Sequence, residues 1–485
     1  MKKKIILAFM ALGVVAGVNA KSNKRGVSEN NFMFSSQLEV LSKGVTWYYN
    51  WGNTPGSGYK NQVIDCDALE FVPMAWNGNF SEDKIREYCK SHPNTKYILG
   101  FNEPNFKAQA NMTPQQAAEQ WPRLQALAKE LNLKLVAPAL NYSPDAPYNN
   151  PLTWMDEFVK LVGKDAFDYT AIHNYGGLGV MKTLAGNFHD RYGKDVWVTE
   201  FCLWPDEGNG TSYVHPSAQI SSMIETVEWL EQTEWIFRYA WFKATGNSSA
   251  TSGPNFGLLV APNPVTDPWS LSDQGVVYTY MSEYDLSRSH PTEQFVAATD
   301  YLHSSKISLG AGKDSEFDAP LHITGLTAGA YVDYRFDVPK SGDYILTLRA
   351  GGYGEPKRFD PILRITLVDE DGTELRELAD TGAFELPNDD EVYKNIDFPM
   401  NLEAGKHIIR IMDNNPGRPS GIRFSGVRLS DSADVDGIES ETADGKVIVY
   451  NLQGIKVRTA ADKVEALNGL PAGIYIVNGT KMVVK

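Results

Sequence analysis

Two glutamates stand where carboxyl groups could act together on one substrate. Glu103 follows a β-rich run and sits in Gly100-Phe101-Asn102-Glu103-Pro104-Asn105; Glu200 lies within Val196-Trp197-Val198-Thr199-Glu200-Phe201, another strand-like run. Paired carboxyls suit glycoside hydrolysis, in which a protonated one helps the leaving oxygen depart and an ionised one attacks the anomeric carbon. Either glutamate alone would mean little, because most are simply solvated. His173-Asn174-Tyr175 closes a run between them, and Trp241-Phe242-Lys243 closes the run after Glu200. His173 reads as a hydrogen-bonded neighbour of the pair rather than a metal ligand. Asn141, Tyr142 and Asn174 are candidate sugar contacts. Trp47, Trp51, Trp76, Trp154, Trp204 and Trp241 lie at or near strand ends, where each either stacks on a sugar ring or packs the core. Cys202, two residues after Glu200, reads as packing. No Cys or Cys/His spacing suits a metal, so neither metal nor cofactor is expected.

The elements that must position these residues are strands alternating with helices. β-rich runs occur at Gly44–Trp51, Glu70–Trp76, Tyr97–Asn102, Lys134–Leu140, Tyr169–Tyr175, Val196–Trp204 and Trp235–Lys243. Thr113-Pro114-Gln115-Gln116 is a capping box with Pro at the first helical position, opening a helix through Leu131. Pro216–Thr233 has helical apolar spacing at Ile220, Met223, Ile224, Val227 and Leu230. Such units close naturally into a (β/α)8 TIM barrel, whose catalytic residues gather at the C-terminal ends of the strands. Seven strands are evident; the eighth is expected within Asn53–Leu69. From about Glu293 the chain is all β, with runs at Tyr331–Val338, Gly342–Ala350, Ile362–Asp369 and Lys406–Asp413, the pattern of a β-sandwich. Lys446–Asn451, Gly473–Val477 and Lys481–Val484 form a last small β unit. The reading is multidomain: signal peptide 1–20, barrel 21–290, sandwich 291–432, and a small C-terminal β domain 433–485.

The order Asn102-Glu103, His173-Asn174-Tyr175, Glu200, Trp241 resembles the large clan of barrel glycosidases with glutamates on strands four and seven. That resemblance implies Glu103 as acid/base, Glu200 as nucleophile, Asn102 on the sugar C2 hydroxyl, Tyr175 donating to the nucleophile and Trp241 stacking on sugar. Gly44-Val45-Thr46-Trp47-Tyr48-Tyr49-Asn50-Trp51, Phe71-Val72-Pro73-Met74-Ala75-Trp76, Leu135-Val136-Ala137-Pro138-Ala139 and Ile172-His173-Asn174-Tyr175 narrow it to glycoside hydrolase family 128. The family implies endo-type cutting of β-1,3-glucan with retention. Tyr331–Pro339, Ser341–Arg349 and Leu402–Ile411 resemble carbohydrate-binding module family 6. The glutamate that such modules use as a calcium ligand is missing before Tyr301, so a binding module and a purely structural sandwich stay open, with Tyr353 and Tyr393 as platform candidates. Val449–Gly454 and Leu470–Val477 resemble C-terminal sorting domains of Bacteroidetes-type secreted proteins, which implies contact with an export system.

A basic start, an apolar run from Ile5 to Val18 and Val18-Asn19-Ala20 read as a signal peptide, so a secreted or cell-surface protein is expected, without membrane insertion. A net charge of −15 argues against nucleic acid. Eleven Trp and 23 Tyr lean towards sugar. Among three cysteines, Cys66–Cys89 is the more plausible bridge in an exported protein. Two rivals remain: the same chemistry on another β-glycan (β-1,4 or mixed-linkage glucan, or mannan), and a non-catalytic glycan-binding surface protein.

Overall fold

The computed structural model describes the chain from Lys21 on, apart from 206–212, 247–253, 313, 315–316, 318, 353–360, 387–391, 417–420, 433–446, 452–455, 461–462, 471–472, 478–479 and 485. The leader therefore lies outside the described residues, as do Tyr353 and Leu452-Gln453-Gly454 of the terminal motif. The described residues form two compact units. One holds those up to Leu286 together with Ser308–Ala311; the other holds Ser287–Ile307 and those from Gly312 on.

The first unit contains β1 (Arg25–Ser28), β2 (Trp47–Tyr49), β3 (Glu70–Phe71), β4 (Tyr97–Leu99), β5 (Lys134–Leu140), β6 (Tyr169–Asn174), β7 (Val196–Phe201) and β8 (Ile236–Phe242). All pair in parallel, in the order β3-β2-β1-β8-β7-β6-β5-β4. The ends of that order meet where Ala75 N donates to Leu99 O and Leu99 N donates to Pro73 O, each at 2.9 Å. The sheet is TIM-like, with α1 (Ser35–Leu41), α2 (Glu82–Ser91), α3 (Pro114–Glu130), α4 (Pro151–Val162), α5 (Leu178–Tyr192), α6 (Pro216–Gln232) and α7 (Asp273–Tyr280) in its connections. α3 opens on the expected box: Thr113 Oγ1 accepts from Gln116 N at 3.2 Å and Gln116 Oε1 accepts from Thr113 N at 2.9 Å.

The eighth strand is not in Asn53–Leu69, which holds only a short 3-10 turn at Tyr59–Asn61. It is β1, upstream of every run read from the sequence, and that places Glu103 after the fourth strand. β1 has one large apolar residue, Val27, and is buried for other reasons. A Cβ on Gly26 would meet the Trp47 indole at 2.2 Å, so only glycine fits there. Arg25, fully buried, puts Nη2 3.1 Å from Glu231 Oε1 and donates to the Tyr278, Met281 and Ser282 carbonyls and to Tyr239 Oη. Arg25→Ala would leave Glu231 buried without its countercharge, and should cost the barrel about 3–5 kcal/mol. Denaturant unfolding followed by tryptophan fluorescence checks this; a loss under about 1 kcal/mol would show that the network adds nothing net.

The N-terminal ends of the strands are sealed by packed side chains. Trp47, Val72, Leu99, Val136 and Trp197 are buried there, with Tyr97, Tyr169 and Phe237 against them. The Arg238 guanidinium lies over the Trp47, Tyr97 and Trp197 rings and pairs with Glu70 at 2.7 Å.

The second unit carries two largely antiparallel sheets, built around strands such as Tyr331–Val338, Gly405–Asp413 and Ile362–Val368 in one and Gly342–Gly352, Ile422–Asp431 and Lys394–Leu402 in the other. A separate four-stranded sheet contains Val447–Asn451, Lys456–Ala460, Gly473–Val477 and Thr480–Val484. Tyr393 is no platform: it is buried, its ring under the Arg423 guanidinium and its hydroxyl 3.3 Å from His322 Nδ1. Cys66, Cys89 and Cys202 are all free thiols, so the expected bridge is not formed; Cys66 sits in the loop before β3 and Cys89 on α2. Among the described residues no helix is long and apolar enough to cross a membrane.

Candidate active site

Past the last regular residue of β4 the chain stays tied to both neighbouring strands. Asn102 N donates to Trp76 O and Glu103 N to Ala139 O, each at 2.9 Å. Glu103 adopts φ 42°, in the left-handed region. That conformation is unfavourable for a residue with a Cβ and is held by its surroundings. Trp51, two residues past the end of β2, shares it with φ 59°. Glu200 lies on β7 as the register partner of His173 on β6, beside an irregularity in the pairing.

Glu200 is ringed by donors. Tyr49 Oη donates to Oε1 at 3.1 Å and Trp51 Nε1 donates to it at 2.8 Å. Tyr175 Oη donates to Oε2. His173 Nδ1 lies 2.8 Å from Glu103 Oε1 and 3.3 Å from Glu200 Oε2. Among the described residues the one hydrogen bond to the Glu103 carboxyl comes from His173. An oxygen of each glutamate and a His173 ring nitrogen all lie within 4.8 Å of one another, and all three residues are buried.

Burial pushes the Glu200 carboxyl up from its ordinary value and the Glu103 charge adds to this, while His173 and the Tyr175 and Trp51 donors oppose it. Burial alone would lower His173, but the Glu200 and Glu103 charges outweigh it and raise the imidazole. Tyr49 and Tyr175 are pushed up by burial and then by Glu200, so both stay hydroxyl donors. Cys202 is raised the same way and stays a thiol, not a nucleophile. His173 Nδ1 and both Glu200 oxygens are already hydrogen-bonded, an arrangement that suits proton movement and nucleophilic attack better than metal ligation.

A cleft of about 710 Å³ opens over the pair. Its walls are aromatic: Trp51, Trp76, Phe106, Tyr175, Trp204 and Phe242. Asn30, Asn102, Gln109 and Asn141 add polar groups. Asn102 Oδ1 is buried beside the glutamates with no partner among the described residues. Trp204 is half exposed, stacked on Phe256 at 13° between planes.

The structure thus brings Glu103, Glu200, Asn102, His173, Tyr175, Asn141 and Trp204 together. It does not bring Trp241, which is buried on the outer side of β8, donates to Phe256 O at 2.7 Å and packs on Tyr278 of α7. Phe242, the next residue, faces the mouth instead. Trp47 is in the sealed floor, its indole bonded to Lys24 O. Trp154 is buried on α4, bonded to Met112 O. Asn174 is buried and bonded to Gly176 O. Sequence reasoning missed Tyr49, Phe106, Gln109, Asn30 and Phe242, and read Trp51 as a stacking or core-packing ring, not a donor. Strand alternation could have found Tyr49: Trp47 and Tyr49 share the inward face of β2, one at the floor and one at the carboxylate, and Trp51 follows just past the strand's end at the mouth.

A family model described as glycosyl hydrolase catalytic core matches residues 26–272. Among solved structures the chain is similar to a subgroup II endo-β-1,3-glucanase of glycoside hydrolase family 128 from Pseudomonas viridiflava. Identity is 34%, over 53% of this chain and 98% of that one, with a TM-score of 0.45. A second subgroup II enzyme, from Sorangium cellulosum, is 27% identical over 53% and 97%, TM-score 0.43. A subgroup I enzyme from Amycolatopsis mediterranei, in complex with laminaritriose, is 27% identical over 53% and 99%, TM-score 0.42. No curated protein matches the chain.

Proposed function

This chain belongs to the family of glycosyl hydrolase catalytic cores, and from that premise we propose that it is a retaining endo-β-1,3-glucanase acting by double displacement. The observation that carries the reading is the spacing of Glu103 and Glu200, with an oxygen of each within 4.8 Å of the other. Retaining enzymes hold their carboxyls about 5–5.5 Å apart, whereas inverting ones leave about 6.5–9.5 Å for a water. Glu200, with donors from Tyr49, Trp51 and Tyr175, is held ready as a carboxylate against the cost of burial, and acts as nucleophile. Glu103, whose one hydrogen-bond partner among the described residues is His173, is the acid. It protonates the leaving oxygen, then takes a proton from the water that hydrolyses the glycosyl ester. Asn102 Oδ1 accepts from the sugar C2 hydroxyl, a bond that tightens in the transition state.

The β-1,3 linkage is supported by the motif runs quoted above and by the sequence identity to the Pseudomonas endo-β-1,3-glucanase. The aromatic walls suit stacking on sugar rings. The basic, apolar start and the terminal sorting-like run support export to the cell surface, with the second unit as a companion module. The test is product release from laminarin, a β-1,4 glucan, a mixed-linkage glucan and mannan, with the product anomer followed by NMR. Laminari-oligosaccharides appearing first as the β anomer are expected. Cleavage of mannan or β-1,4 glucan alone would overturn the substrate, an α product the mechanism, and glucan binding without cleavage the enzyme reading itself.

A further inference from the structure

Resting on that reading, we propose that His173 is a positioning residue that lends one hydrogen to Glu103 and Glu200 in turn, favouring each as a carboxylate in the half-reaction that needs it ionised. His173 is fully buried on β6. Its Nδ1 lies 2.8 Å from Glu103 Oε1 and 3.3 Å from Glu200 Oε2. One N–H serves only one of these well at a time. The other ring nitrogen, Nε2, is buried without a partner among the described residues. An imidazolium would bury a second N–H there with no acceptor, a costly state, and when Glu103 carries its acid proton one of the two charges favouring imidazolium is gone. The ring therefore works as a neutral Nδ1–H donor, a tautomer assigned from this bonding pattern.

Other groups around the ring keep their charge. Tyr49 from β2 and Tyr175 just past β6 both bond Glu200, and Cys202 follows β7. These phenols and the thiol stay protonated, leaving the two glutamates to change. Before attack Glu103 is protonated and Glu200 is the carboxylate, so the Nδ1–H goes to Glu200. Glu103 then gives its proton to the glycosidic oxygen, the C1–O bond breaks and a Glu200–C1 ester bond forms. The negative charge now sits on Glu103, and the Nδ1–H passes to it by a small tilt. A water next gives its proton to Glu103, its oxygen bonds C1, the ester bond breaks and Glu200 leaves as a carboxylate. The hydrogen on His173 is never transferred.

The test compares His173→Ala and His173→Asn, the latter keeping an N–H near the Nδ1 position, in the full chain with 2,4-dinitrophenyl β-laminaribioside. Its leaving group needs no acid, so kcat/KM reports ester formation and kcat reports ester hydrolysis. His173→Ala should lower kcat about tenfold more than kcat/KM. Losing a donor raises a carboxylate pKa, so the acidic limb of kcat should also move about one unit to higher pH. His173→Asn should restore both. A parallel fall in kcat and kcat/KM without that movement overturns the hand-over, as does an asparagine variant that folds but is no better than alanine. A second measurement needs no variant: the downfield His173 Nδ1–H proton resonance of the wild type should shift when a 2-fluoro sugar traps Glu200 as its ester, and an unchanged resonance overturns the proposal. An active Glu200→Gln overturns the reading beneath it, and the hand-over with it.

Discussion

Glu200→Gln is expected to lower kcat/KM on laminarin by about four orders of magnitude or more, without loss of the fold. The substitution keeps the shape of the side chain and removes the negative charge that bonds to C1. The donors that face it, from Tyr49, Trp51 and Tyr175, cannot turn an amide into a comparable nucleophile. Reducing-sugar release together with thermal unfolding checks the result. Glu200→Ala adds a stereochemical test: with an activated β-glycoside, azide should enter the emptied space and give the α-glycosyl azide. Activity within tenfold of wild type would remove Glu200 from the mechanism.

Glu103→Gln should fail differently. On laminarin, where the leaving oxygen needs a proton, the loss should be about 10²–10⁴-fold, the usual worth of a positioned acid. On 2,4-dinitrophenyl β-laminaribioside, attack by Glu200 needs no acid and kcat/KM should fall little, while kcat collapses because no base activates water. The glycosyl-enzyme should then accumulate and be visible by intact mass. Azide should rescue Glu103→Ala and give the β-glycosyl azide, opposite to the product expected for Glu200→Ala. Equal losses on both substrates would argue against the acid/base assignment, and an α product would exchange the two roles.

What the sequence made legible was the order of polar landmarks on successive strands. Asn102-Glu103, His173, Tyr175 and Glu200 all reach one mouth because parallel strands bring their C-terminal ends together. β1 stayed hidden because Arg25-Gly26-Val27-Ser28 lacks the apolar pattern of a strand. Its burial depends on partners far along the chain, Glu231 and the Ser282 carbonyl among them, which no local window contains. The tryptophans could not be sorted into mouth and core from the sequence for a related reason. Trp47 opens β2 and Trp51 lies just past its end, and their height in the barrel makes one a floor and the other a donor to Glu200. Trp241 and Phe242 differ by one step, and a one-residue change of phase turns a side chain from the mouth to the helix layer. In the second unit, Glu374–Ala383 is a strand whose residues are largely exposed and polar, so it shows none of the alternation that marks Tyr331–Val338.

The packed floor of the barrel makes the catalytic chamber a blind well. Trp47, Trp197, Leu99 and their neighbours close the far end, and Glu103 and Glu200 are already nearly shut off from solvent before any sugar arrives. A glycan lying over the mouth covers the side that remains open. With a glycan in place, the proposed mechanism would bring water to the pair only as the molecule that slips in beside the departing sugar. On the proposed mechanism, the proton that Glu103 surrenders in the first half of the cycle is replaced from that same molecule in the second, and each turnover leaves the chamber in the protonation state in which it began.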